Sequence, residues 1–202
     1  ATAFKRNWYK LDAVAAADES VKIGHLLEEP LGHPEAYGLI TGQLADGHLF
    51  VKANNREYAS RGLQTHVALT LPRMVLDAGA RIHYDDMDRF QWVDGYRIDS
   101  GSMVLANPGI KGTDSNRLES SNALAAYAQL LIKAGRFSLK PGLRLESVVQ
   151  RRKDFGKADP VREGTDLKRR RNASTALLPG LGVTYTVSSY TTAFAGVHKG
   201  FA

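Results

Sequence analysis

The side chains that could do chemistry in this 202-residue chain are six imidazoles, the carboxylates and an excess of guanidinium groups, with no cysteine. Without thiols, cysteine nucleophiles, thiolate metal sites and disulfide frameworks are excluded. His66 and His83 fall on the same polar side of one β-hairpin and invite a metal reading. Symmetry about the hairpin turn sets His66 opposite a residue near position 79, so the two rings are offset by several residues and do not share an ion. Asp85, Asp86 and Asp88 offer hard oxygen ligands, but the glycine and glutamate framework of a calcium loop is missing, and the segment reads as the start of a solvated loop. Ser120 and Ser121 have no histidine positioned by sequence to activate them. The nucleophile elbow, the paired-glycine phosphate loop and the His-Glu-x-x-His zinc helix are absent. The chain is expected to bind rather than catalyse, with no metal or cofactor of its own.

Charge is unevenly distributed. Lys and Arg number 27 against 21 Asp and Glu, a net +6, and residues 151–171 alone hold nine basic and four acidic side chains. That stretch contains Gly, Asp and Pro and reads first as a solvated, mobile loop. An anion-attracting loop comes second and a nucleic-acid patch third.

The elements that must carry these groups are strands. Apolar residues recur with period two at 63–69, 76–84, 124–132, 137–145 and 177–185, each opposite a polar or small-residue face. The stretches near 4–11 and 190–201 are β-rich but alternate less cleanly. The expectation is an all-β, antiparallel up-and-down meander of about seven strands. No run of apolar residues is long enough for a membrane-spanning helix. Short turns at 70–73, 135–136 and 187–189 alternate with long links at about 12–54, 85–121 and 148–172. All tight turns thus lie at one end and all long links at the other, the asymmetry of an outer-membrane barrel. In such a barrel the apolar face meets lipid, and Arg81, His83, Asp85, Lys140, Arg144 and Glu146 line a wet interior. A one-sided soluble sheet, with a basic surface that binds nucleic acid, is the alternative from another class. Pro141 and Pro179 interrupt good strands and call for a bulge or local break. Residues 34–43 (PEAYGLITGQ) fit a short helix within the first long link. Trp8 and Tyr9 fit an interfacial aromatic belt, whereas Trp92 and Tyr96 fit either the belt or a ligand.

Several phrases resemble the barrel of TonB-dependent outer-membrane receptors, most of all the ferric-citrate type. They are residues 4–12 (FKRNWYKLD), 54–64 (NNREYASRGLQ), 79–86 (GARIHYDD), 141–146 (PGLRLE), 178–182 (LPGLG) and 196–202 (GVHKGFA). The resemblance spans essentially the whole chain, residues 1–202. It implies a portion of a larger barrel, with the plug domain, its TonB-engaging box and most strands outside this sequence. It also implies import of an iron chelate, such as ferric citrate or another siderophore, across the outer membrane of a Gram-negative bacterium. Iron is then cargo. The partners implied are the chelate, TonB acting through the plug, and outer-membrane lipid with lipopolysaccharide, and nucleic acid is not among them. A passive porin-like barrel shares the architecture without TonB coupling. Such chelates are commonly anionic, and guanidinium matches carboxylate geometry. The resemblance therefore points to Arg56, Arg81 and Arg144, with Gln64 and Gln150 as neutral donors. The same charges could instead pair with Glu57, Asp85 or Glu146 on neighbouring strands.

Overall fold

The computed structural model describes residues 1–200, so the Phe201-Ala202 end of the last phrase and of the last β-rich stretch lies outside the described residues. The strands are β1 (Thr2–Arg6), β2 (Tyr9–Ala16), β3 (Glu19–Lys22), β4 (Gly47–Ala53), β5 (Arg56–Leu71), β6 (Met74–Asp99), β7 (Ser102–Asn107), β8 (Ser115–Ala134), β9 (Phe137–Asp154), β10 (Lys168–Thr186) and β11 (Thr192–His198). Every pairing is antiparallel. β1 pairs with the lower half of the next run, β5, while β2 pairs with its upper half, β4. With β1–β2 and β4–β5 each taken as one interrupted run, the long strands are β1–β2, β4–β5, β6, β8, β9, β10 and β11. That is the expected meander, and its sheet is not closed: β11 lies at one edge and β1 pairs only with β5.

Pro72 and Arg73 join β5 to β6, Gly135 and Arg136 join β8 to β9, and residues 187–191 join β10 to β11. Gly135 takes φ 60°, a left-handed conformation that glycine reaches without a Cβ clash. The long links all lie at the opposite end.

Register then builds two faces. Val67, Ala78, Ala128, Leu143 and Pro179 lie side by side across five strands. One edge of this band is the row Leu71, Met74, Ile132, Leu139, Val183 and Ala195. The other is Leu63, Ile82 and Leu124, giving way to Ser147 and Thr175. Among the described residues nothing covers this apolar face: Leu63, Val67 and Ile82 are 69%, 67% and 61% exposed. A sandwich or soluble barrel would bury them beneath a second layer. The band's residues 63–71 on β5 match the roughly 9–11 that a tilted strand needs to cross a bilayer. Phe137 and Tyr185 pack with ring centroids 4.6 Å apart at its short-turn edge. Arg61 lies over the Tyr84 ring at 4.5 Å at its long-link edge. The expected belt role of Trp8 and Tyr9 is corrected by register: Tyr9 opposes Ala53, which opposes Trp92, ten residues past the band's Ile82 on β6.

The long links are shorter than expected, because the strands run on past the lipid. β6 continues to Asp99, β8 begins at Ser115, β9 reaches Asp154 and β10 starts at Lys168. These extensions stand beyond the apolar band and pack largely through polar side chains, so hydrophobic alternation fades although the backbone ladder persists. The basic segment 151–171 is accordingly two paired strand ends around a fastened loop, not a mobile loop. Arg162 sends Nη1 and Nη2 to the Asp88 carboxylate at 2.9 and 2.5 Å and Nε to Asn116 Oδ1 at 2.6 Å. Its guanidinium also lies 4.4 Å from the Phe90 ring centre. The buried Asp159 accepts the Glu163 and Gly164 amides at 2.9 and 2.7 Å.

The prolines are accommodated without a bulge. Around Pro141 the β8–β9 ladder skips from Gln129–Gly142 to Ile132–Leu139 with the register kept. Pro179 falls one residue beyond the last β10–β11 pair, Gly180–His198.

The first long link holds helices α1 (Ile23–Glu28) and α2 (Pro34–Ile40), the second within the stretch expected to be helical. Both are too short to persist alone. They pack on β2 and β3 around Val14, Ala16, Val21, Leu26, Ala36 and Leu39. The Ala36 amide donates to Glu19 Oε2 at 3.0 Å, and His33 Nδ1 lies 2.5 Å from Glu19 Oε1. The Ala36 amide, then His33, hold the Glu19 carboxyl below the usual glutamate range.

Two outcomes follow from these arrangements. In the lipid-embedded barrel, Val67→Arg should cost about 2–4 kcal/mol while the neighbouring His66→Arg, on the other face, costs little; unfolding midpoints in vesicles measure both. A depressed carboxylate stabilises above its unfolded pKa, and that contribution is lost as pH falls through the folded value. Hydrogen-exchange protection at Ala36 should therefore drop on acidification below the usual glutamate range while the β8–β9 ladder stays protected. Glu19→Gln should remove this pH dependence.

Candidate functional site

On the face opposite the apolar band, register assembles polar rows that line the lumen of the barrel. At the long-link end Arg6, Arg56, Arg89 and Arg117 stand directly opposite one another on β1, β5, β6 and β8, followed by Asp154 and Lys168. The next row is Phe4, Tyr58, Met87, Glu119, Arg152 and Arg170. Like charges facing each other across strands destabilise a sheet, so such a row needs compensation from acids, water or a ligand.

The compensation is partial. Arg117 Nε lies 2.9 Å from Asp154 Oδ2, and Arg152 reaches Asp154 at 3.0 Å and Glu119 at 3.5 Å. Burial would raise the Asp154 pKa, but the Gly156 amide and these two arginines hold it below the usual range. Among the described residues Arg56 finds only neutral partners, Asn54 Oδ1 at 3.0 Å and the Tyr58 hydroxyl at 3.4 Å. Phe4 stacks on Tyr58 with centroids 4.8 Å apart and fixes that ring. Arg89 makes no ion pair among the described residues, and its Nε is buried without a hydrogen-bond partner. Burial first, then the neighbouring Arg56 charge, lower its pKa. The rim thus carries an unneutralised cation held between two others, an arrangement that attracts multivalent anions.

All five residues expected from the sequence lie on this lumenal face, at three different depths. Gln64, Arg81 and Arg144 share a cavity of about 160 Å³ with Ala80, Ala125 and Tyr127. The Tyr127 ring can enter because the opposing residue is Gly79, where a Cβ would lie 2.5 Å from the ring. Arg144 donates from Nε to Glu146 at 2.6 Å, so its pairing runs along its own strand rather than across strands. Arg81 Nη2 lies 2.6 Å from His83 Nδ1. Gln150 sits two rows below Arg117, in a groove of about 490 Å³ whose lining includes Tyr58, Glu119, Arg152 and Arg170. Arg56 lies above that groove in the rim row. His66 opposes Gly79 and His83 opposes Gly62, the offset expected from the hairpin.

Arg6, Arg89 and Arg117 were not among the expected residues. Their signal was nonetheless present, since counting outward from the Pro72-Arg73 turn sets Arg56 opposite Arg89. Counting from Gly135-Arg136 likewise sets Arg117 opposite Asp154.

No curated protein matches the chain. The family model described as "TonB dependent receptor-like, beta-barrel" matches residues 31–202. That match takes in every strand from β4 onward, and the uncovered apolar band beside a charged lumen is what such a barrel requires. The chain therefore belongs to the TonB-dependent receptor β-barrel family.

Proposed function

We propose that this portion of barrel serves a receptor that binds and imports an anionic iron chelate, such as ferric citrate or another siderophore. Family members are receptors and transporters of the Gram-negative outer membrane, and this coarser role follows from membership. In the proposed assembly a plug domain outside this chain couples to TonB. Arg89, with Arg56 and Arg117 beside it, carries the reading: an excess of guanidinium at the rim, incompletely answered by protein carboxylates, suits a polycarboxylate complex of iron. Gln150, with Arg152 and Arg170, would receive the chelate below the rim. Gln64, Arg81 and Arg144 would contact it deeper in the lumen. No covalent chemistry is required, because selection and passage depend on charge and hydrogen bonding.

The double variant Arg56→Gln/Arg89→Gln in the intact receptor tests this. Each charge-assisted bond removed should weaken ferric citrate binding by roughly tenfold or more, and the salt dependence of binding should flatten. Titration calorimetry on the purified receptor reads both. Unchanged affinity for anionic chelates, or a preference for uncharged ones, would contradict the proposal.

A further inference from the structure

The two arginines of the deep lumenal cavity are each tethered by the residue two places along their own strand, but with different chemistry. Arg144 donates to the Glu146 carboxylate, an ion pair that answers its charge. Arg81 Nη2 lies 2.6 Å from His83 Nδ1, and Arg81 makes no ion pair among the described residues. A guanidinium has donors and no acceptor, so Nδ1 must be the bare nitrogen of the His83 ring and the ring proton is assigned to Nε2. The partners of Nε2 fit that assignment, Ser60 Oγ at 2.8 Å and Asp85 Oδ1 at 3.1 Å, since both can accept. Donation thus runs one way, from Arg81 to His83 and from His83 to Ser60 and Asp85.

The flanking strands make a slot for this ring. Gly62 stands directly opposite His83 on β5, and a Cβ there would lie 3.3 Å from His83 Cδ2 and 2.6 Å from the Ile82 carbonyl oxygen. The missing side chain lets the imidazole reach Ser60, the next β5 residue on this face. On the other flank Ser121, Ala123 and Ala125 of β8 oppose Asp85, His83 and Arg81, all of them small and uncharged. The His83 side chain is left 23% exposed, whereas Arg81 is exposed. The ring is held and the guanidinium is presented.

The consequence is electrostatic. A carboxylate would fix a guanidinium equally well but cancel its charge, whereas a neutral imidazole fixes it and leaves the charge to act. We infer that His83 is a positioning residue for anion binding in the deep cavity, holding Arg81 beside Gln64 and Arg144 without neutralising it. This role rests on the lumenal chelate contact proposed for Arg81. The further N–H donors of Arg81 remain available to a carboxylate ligand.

The test uses the intact receptor, with ferric citrate binding followed by titration calorimetry. His83→Leu removes one hydrogen bond to a charged group and should weaken binding by roughly tenfold. His83→Gln keeps an acceptor for Arg81 and a donor for Ser60, and should recover most of that loss. His83→Glu holds the guanidinium but cancels it, and should bind no better than the leucine variant. Added to Arg81→Leu, His83→Leu should cost nothing more, because it acts through Arg81. Heteronuclear NMR of isotope-labelled histidine gives a readout independent of ligand. The His83 signal, recognised by its loss in His83→Gln, should show a bare Nδ1 and a protonated Nε2. Unchanged affinity in Arg81→Leu would contradict the chelate contact itself, and the role of His83 with it. A loss in Arg81→Leu with none in His83→Leu would overturn the role of His83 alone. So would a glutamine variant no better than leucine, or a glutamate variant that binds as the wild type does. A His83 ring protonated at Nδ1 would overturn it even if the leucine variant did not fold.

Discussion

Inside hydrocarbon no water can satisfy a peptide group, so every backbone N–H and C=O along the lipid-crossing strands must be bonded within the protein. Long antiparallel ladders meet that demand, and β5, β6, β8, β9 and β10 run side by side with one register through the apolar band. Once the ladder is fixed, side chains alternate between two solvents. Leu63, Val67 and Ile82 stay uncovered because acyl chains cover them, and Arg56, Arg81 and Arg144 avoid hydrocarbon because they stand on the opposite side. At Pro141 the ladder gives up bonds locally while the register on either side is kept.

Register also decides where charge accumulates. Arg6, Arg56, Arg89 and Arg117 are far apart in sequence, and strand pairing alone makes them neighbours. Their mutual repulsion is tolerated because the ladders below hold the strands together and because Asp154 and Glu119 absorb part of the charge. What remains is an electropositive rim. On the lipid side β9 and β10 carry further cations beyond the apolar band, Arg151 and Lys153 opposite Arg171 and Arg169. One pair of strands thereby presents guanidinium groups to two environments.

The membrane-crossing part of the fold was readable because one face is apolar over nine residues and the other is not. Period-two patterning together with tight turns fixed β5, β6, β8, β9 and β10 in that region. The extensions above the lipid were not readable in this way. Residues 85–99 and 115–121 are strand beyond the apolar band, and their sequence carries no alternation to reveal it. The fastening of loop 155–167 depends on Arg162 meeting Asp88 and Asn116, contacts between segments remote in sequence. The five expected lumenal residues did fall on the right face, since face follows from parity along a strand. Their separation by depth, and the arginines that join Arg56 at the rim, required the pairing of strands that sequence periodicity alone does not supply.

The central claim is that the two sides of these strands touch different solvents. The chain has no cysteine, so single cysteines introduced along residues 63–71 of β5 and 137–145 of β9 can each carry a spin label in the lipid-embedded receptor. Collision with oxygen should peak at odd-numbered positions and collision with a water-soluble nickel chelate at even-numbered ones, in opposite phase along both strands. Uniform accessibility to the aqueous reagent, or odd-numbered positions shielded from both reagents, would contradict it.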